Sequence, residues 1–191
     1  SREGEEAMWL DTLQALKDAS SDPHHHLHAV HWLIVPRHPQ RFNEIAALIT
    51  QTGFSLRRRS EGVAIADTQV WLGDSMGEMA AYYSMADVAV IGGSLLPFGG
   101  QNLIEAAACG TPTIVGPHTY NFSAAANAAV ASGAAMRLDD PTPEALTDAV
   151  NKHFNDAAAH QKAADATARF VSEASGATQK IMALITQNLR R

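Results

Sequence analysis

Short apolar runs bounded by Gly, Pro or polar turns recur along this chain, and segments with the 3.6-residue spacing of an amphipathic helix separate most of them. HWLIVP (31–36), TQVWLGD (68–74), DVAVIGG (87–93) and TPTIVG (111–116) are too short for helices and too continuously apolar for strands with one wet face. They read as strands buried on both sides. Leu56 to Ser60 adds a shorter candidate and AAMRLD (134–139) a last one. Between them Phe42, Ile45, Ala46 and Ile49 fall at helical spacing, and Met76, Met79, Ala80 and Tyr83 mark another inner face. LIEAAACG predicts a helix stopped by Gly110, and another runs from about Ala124 to Ser132. Trp9, Leu10, Leu13 and Leu16 predict a first helix, and PEALTDAVNKHF one that places Pro143 at its first position. The tail reads as helix throughout, with Phe170, Ala174, Ala177, Ile181 and Leu184 forming its apolar stripe.

Strand alternating with helix predicts a parallel sheet, because successive parallel strands need a crossover that packs back on the sheet. The expected fold is α/β: a Rossmann-like doubly wound sheet with helices on both faces over residues 1–155, and helices packing on it over 156–191. At 191 residues and 46% hydrophobic the chain can bury one sizeable core, and no run approaches the roughly 18 apolar residues of a membrane span. A formal charge of -6, with no basic block larger than Arg57 to Arg59, argues against nucleic acid as a partner. One cysteine, Cys109, excludes an internal disulfide and a cysteine-rich metal site; beside the Gly110 stop it reads as a small buried apolar residue. The chain opens at Ser1 on a helix signal. Domains of this class usually open on a strand, so a strand ahead of Ser1 is expected to have been removed or shortened.

In such sheets ligands sit at the carboxyl ends of the strands, which directs attention to three loops. In VPRHPQR (35–41), Arg37, His38 and Arg41 either hold an anion or planar base or belong to a solvated turn. In LGDSMGEM (72–79), the backbone N–H groups of Ser75 to Glu78 open a helix toward a phosphate, with Met76, Gly77 and Glu78 beside it, or Asp74 simply caps that helix. Gly92 to Pro117 carries six glycines and three prolines. Here Gly93, Ser94, Gly99 and Gly100 form a close-approach loop, and Asn102 is a natural N-cap. Glu105, three residues on, completes a capping box or faces the crevice and accepts the two hydroxyls of a ribose. Spacing leaves both readings open. There is no GxGxxG after a first strand and no GxxxxGK[ST]. His24, His25, His26, His28 and His31 read as a polar loop; no metal site and no cofactor is expected.

Taken together, SREGEE, VPRHPQRF, RRRS, WLGDSMGEM and ADVAVIGGSLLPFGGQNLIEAAACGTPTIVGPHTYNF resemble the carboxyl-terminal half of the bacterial 3-deoxy-D-manno-octulosonic acid (Kdo) transferases. The resemblance covers about residues 1 to 140. It implies the donor-binding half of a GT-B glycosyltransferase that moves Kdo from CMP-Kdo to lipid A or its tetraacylated precursor, inverting the anomeric centre without a bound metal. It also implies that Arg37 lies against the cytidine, that Met76, Gly77 and Glu78 line the nucleotide site, that Glu105 holds the ribose hydroxyls, and that Ser1, Arg2 and Glu5 face the sugar. Where the family often reads GGHNPLEPAALG, this chain reads GGQNLIEAAACG, keeping Asn102 and Glu105. The catalytic base, the acceptor site and the membrane-associating surface belong, by the same resemblance, to an amino-terminal domain outside this chain. The parent enzyme is then expected at the cytoplasmic face of the bacterial inner membrane, with this fragment soluble and inactive alone. Two rivals are a GT-B transferase or epimerase using a UDP-sugar, and a non-catalytic nucleotide-binding Rossmann module.

Overall fold

A computed structural model of the chain describes residues 1–18, 30–62 and 68–189. The elements follow the expected alternation: α1 (Glu5–Asp18), β1 (Trp32–Ile34), α2 (Phe42–Gln51), β2 (Leu56–Arg58), β3 (Val70–Leu72), α3 (Met79–Met85) and β4 (Ala89–Val90). Then come α4 (Leu103–Ala108), β5 (Thr113–Val115), α5 (Ser123–Ser132), β6 (Ala135–Arg137), α6 (Pro143–Asn155) and α7 (Ala157–Leu189). Local chemistry sets several boundaries. The Thr142 hydroxyl accepts from the Ala145 N–H at 3.2 Å and Pro143 occupies the first turn of α6. Gly133, at φ 80°, ends α5 in the left-handed conformation that glycine adopts without a Cβ penalty.

Every strand pairing is parallel, and the order is β1-β3-β2 in one sheet and β4-β5-β6 in another. The α/β class is as expected. The continuous sheet is not: β1 and β4 are both edges, and the chain's own Ser1 lies between their carboxyl ends. There are two cores, and the first reaches across both half-sheets, since Ile114 of β5 belongs to it and Val90 of β4 packs against it. The first joins Leu10, Leu13 and Leu16 of α1 to Ile34, Ile45, Ile49, Val70, Leu72 and Leu146, all buried. Each such side chain contributes about 1.5–3 kcal/mol on burial. The second core is built from smaller groups, Ala106, Ala126 and Ala129 with Leu103, Val115 and Phe170, which lets α4 and α5 approach α7 closely.

Three expectations are corrected. Asp74 does not cap α3, which begins only at Met79; its carboxylate accepts from the Ser60 N–H at 2.8 Å and hydroxyl at 2.7 Å and pairs with Arg58 at 3.2 Å. The Ser75 to Glu78 amides therefore precede the helix. The tail is one helix, α7, rather than several, and buries Ala166, Thr167 and Phe170 against the body. Of its predicted stripe, Ala177, Ile181 and Leu184 lie outside the residues whose side chains are described, as do His24, His25, His26 and His28 outside the described chain. His31 is engaged by the Thr68 carbonyl through Nδ1 at 2.5 Å.

Candidate functional site

The loops following β1, β3 and β4 converge on a cavity of about 710 Å³. Its rim is polar, with Ser1, Arg37, Ser75, Gln101, Asn102 and Glu105 joined by Met76 and Gly77. Its interior is apolar, running between the half-sheets past Trp9, Leu33, Val88, Val90 and Phe154. These are two environments in one space, and polar ligand chemistry belongs to the rim.

The glycine-rich loop forms one wall. Gly93, Gly99 and Gly100 all have positive φ, at 74°, 88° and 79°. At Gly99 a Cβ would stand 2.3 Å from Asn121 Nδ2, so conformation and space both require glycine. The loop is closed by Gly100 N–H to Gly93 O at 2.7 Å and Gln101 N–H to Gly92 O at 2.9 Å. At its end Asn102 is extended, and its side-chain oxygen accepts from Ile104 N–H at 3.1 Å, so the N-cap reading holds. Glu105 does not complete a reciprocal box. Its Oε1 receives the side-chain amide of Asn102 at 3.1 Å, and the exposed carboxylate stands at the rim. Tyr83, lining the same cavity, has its phenol pushed up to about 12, first by burial and then by the Glu105 carboxylate.

Arg37 lines the same cavity. Its backbone N–H donates to Ser1 O at 3.1 Å, while its exposed guanidinium has no hydrogen bond or ion pair among the described residues. The other two arginines expected at the site, Arg2 and Arg41, are engaged. Arg2 lies over Phe98 at 4.7 Å, with Nη1 3.4 Å from His38 Nε2. Arg41 binds Glu6 at 2.8 and 3.3 Å and Glu44 at 3.0 Å, which removes it from the anion-binding role expected of it. Met76 is 69% exposed beside Gly77, whose φ is 81°.

Three more residues depart from expectation. The Glu5 carboxylate is wholly buried and turned into the glycine-rich loop, accepting from Gly93 N–H at 2.7 Å, Leu95 N–H at 3.1 Å and Arg2 N–H at 2.9 Å. It props the loop instead of facing open space. Ser94 is also buried; its hydroxyl donates to Ile91 O at 2.5 Å and accepts from Gly116 N–H at 2.9 Å, inside the loop. Glu78 ties down the β3–α3 loop, bound to Ser75, to Arg59 at 2.9 Å and to Tyr82 at 3.1 Å. Those bonds, Ser75's above all and then those of Arg59 and Tyr82, hold its carboxyl below the usual range against the opposing effect of desolvation. Sequence reasoning missed the side chains of Ser75, Gln101 and Tyr82 as parts of the site; Ser75 and Glu78 precede α3, so no helical periodicity reports their contact with Tyr82.

A polar crevice at the carboxyl ends of parallel strands, walled by a glycine-rich loop and carrying a rim carboxylate and a rim guanidinium, is the arrangement of a ligand-binding α/β domain. Residues 35–170 match the family model of glycosyl transferases group 1, and the chain belongs to that family. Within it, the chain is 42% identical over 185 residues to 3-deoxy-D-manno-octulosonic acid transferase of Bordetella pertussis, covering 95% of this chain and 42% of that protein. It is 37% identical over 160 residues to the enzyme of the same name from Haemophilus influenzae, covering 83% of this chain and 37% of that one. The chain thus spans about two fifths of the length of these curated relatives. Among solved structures it resembles the C-terminal CMP-Kdo binding domain of WaaA from Acinetobacter baumannii, with TM-score 0.80, 28% identity, and 90% and 85% of the two chains covered. No helix of the described residues is long and apolar enough to cross a membrane.

Proposed function

We propose that this chain is the donor-binding domain of a Kdo transferase and that its crevice takes CMP-Kdo. The observation that carries the reading is the exposed pair at the rim, Glu105, held by the Asn102 side-chain amide, and the unbonded guanidinium of Arg37, in a domain similar to a CMP-Kdo binding domain. Glu105 accepts the two ribose hydroxyls, a charge-assisted pair of bonds that two vicinal O–H donors satisfy and a lone hydroxyl does not. Arg37 lies against the cytidine, Met76 and Gly77 line the nucleotide, and Asn102 orients Glu105 through its side-chain amide. Gly93, Gly99 and Gly100 keep the wall low enough for close approach, while Glu5 and Ser94 hold that wall from behind. Ser1, Arg2 and His38 lie on the side where the Kdo moiety extends. Cleavage of the donor leaves charge on the CMP phosphate, and preorganised positive groups at the crevice stabilise it as it develops.

The acceptor, lipid A or its precursor, and the catalytic base belong in this proposal to the remaining three fifths of the parent enzyme, which works by inversion without a metal at the cytoplasmic face of the inner membrane. The chain alone is then expected to bind donor and transfer nothing. Calorimetric titration with CMP, with UMP as the control, tests the site. Selective CMP binding that weakens about 10- to 100-fold in Glu105→Ala, the loss of a charge-assisted bond pair, is the expected result. Preference for UMP supports a UDP-sugar donor instead, and CMP binding unchanged in Glu105→Ala removes the ribose role.

A further inference from the structure

We infer that the turn after β2, Arg58 to Ser60, is a strap that fixes the loop between β3 and α3, and that Arg59 is a positioning residue acting on the nucleotide through that loop. The inference deepens the CMP-Kdo reading and rests on it for the ligand. Gly73 to Glu78 separate the end of β3 at Leu72 from the start of α3 at Met79. Of these, Ser75, Met76 and Gly77 line the cavity, whereas Asp74 and Glu78 on either side of them do not. Among the described residues no backbone-to-backbone hydrogen bond involves Ser75, Met76 or Gly77. The main chain therefore leaves this tip unsupported, and its position is set by side chains.

Both flanks of the tip are tied to the same short turn. Ahead of it, the Asp74 carboxylate accepts from the Ser60 N–H at 2.8 Å and the Ser60 hydroxyl at 2.7 Å and forms an ion pair with Arg58 Nε at 3.2 Å. Behind it, Arg59 Nη2 donates to Glu78 Oε1 at 2.9 Å. The other Glu78 oxygen accepts from the Ser75 hydroxyl and from the Tyr82 hydroxyl at 3.1 Å, and Ser75 Oγ lies 2.5 Å from Tyr82 Oη. Ser75 and Tyr82 line the cavity, so the Arg59 charge reaches the cavity wall through one carboxylate and two hydroxyls. A polar network whose members are all paired holds one geometry.

The turn serves as an anchor because it is itself fixed. β2 pairs with β3 in parallel register, with Arg58 opposite Leu72, so the turn leaves its strand beside the point where the loop leaves β3. Arg59–Glu61 form one turn of 3-10 helix, closed by the Arg58 N–H donating to Glu61 Oε2 at 3.1 Å and the Gly62 N–H to Arg59 O at 3.1 Å. Arg58 Nη2 also donates to Asn43 Oδ1 of α2 at 2.7 Å. Arg58, Arg59 and Ser60 all lie outside the cavity lining. An effect of Arg59 on nucleotide affinity therefore travels through Glu78.

Nitrogen-15 relaxation on the nucleotide-free chain tests the strap. Arg59→Ala is expected to lower the backbone order parameters of Met76 and Gly77 from about 0.85 to below about 0.6. Tm should stay within about 4 °C, because an ion pair whose side chains are 41% and 32% exposed contributes little to stability. Unchanged order parameters at both residues overturn the proposal. Calorimetric titration with CMP tests the positioning role. Arg59→Ala and Glu78→Ala should each weaken binding about 5- to 10-fold, and the double variant no further, since both remove the same tether. Losses that add in the double variant overturn the proposal, because Arg59 then acts on the nucleotide directly; so does unchanged CMP binding in Arg59→Ala. An original chain that binds no CMP refutes the donor-site reading instead, and the order parameters still decide whether the strap holds the loop.

Discussion

Replacing Glu5 by Gln removes a negative charge and one acceptor from the support of the glycine-rich loop without changing its size. In the native chain Oε2 accepts from Gly93 and Arg2 and Oε1 from Leu95, three backbone N–H groups on one buried carboxylate. In Gln the single oxygen serves Gly93 and Arg2, and the NH₂ group confronts the Leu95 N–H, donor against donor. Two charge-assisted bonds become neutral, a loss of about 1 kcal/mol each, and one buried N–H is left without an acceptor at about 1–3 kcal/mol. The sum, about 3–5 kcal/mol, is a large fraction of a typical domain's stability yet leaves the chain folded at low temperature. Urea unfolding at constant pH measures it, and hydrogen exchange at Gly93 and Leu95 locates it. A Glu5→Gln chain within 1 kcal/mol of the original, with unchanged exchange at those two amides, refutes the strut assignment and returns Glu5 to a direct role toward ligand.

Gly116→Ala forces a Cβ to 2.2 Å from Ser94 O and 2.7 Å from Leu95 Cα, backbone atoms that cannot swing aside; a loss of roughly 2–4 kcal/mol is expected in urea unfolding. Glu105→Ala touches an exposed carboxylate, so its stability should stay within about 0.5 kcal/mol of the original while nucleotide binding falls. Burial first, and then His160 and Lys152, hold the His153 imidazole below its ordinary value of 6.5, so the unfolded state binds the extra proton and unfolding free energy rises as pH rises toward that value; an identical pH slope in His153→Gln rules out this imidazole as its source.

The fold was readable because its signals are local. A run such as TIVG between Pro112 and Pro117 has few alternatives to a buried strand, and Thr142-Pro143 or Ser132-Gly133 announce a helix boundary within two residues. The site divides along the same line. Asn102 acts within its own turn and was legible as a cap; Glu105 was not decidable, because a capping box and a crevice-facing carboxylate both require an acid three residues after the cap. Glu5, Arg41 and Asp74 were misplaced for a different reason. Their partners stand 88 and 90, 35, and 14 positions away, and no periodicity within a segment reports a contact of that range. Family resemblance brought Glu5 to the right region, since it marks which positions matter, and still missed its role, since it does not say which way the oxygens point. That direction follows from burial: a carboxylate with no exposed surface must spend its acceptors on the protein, and here the donors within reach are the N–H groups of the loop that shapes the crevice.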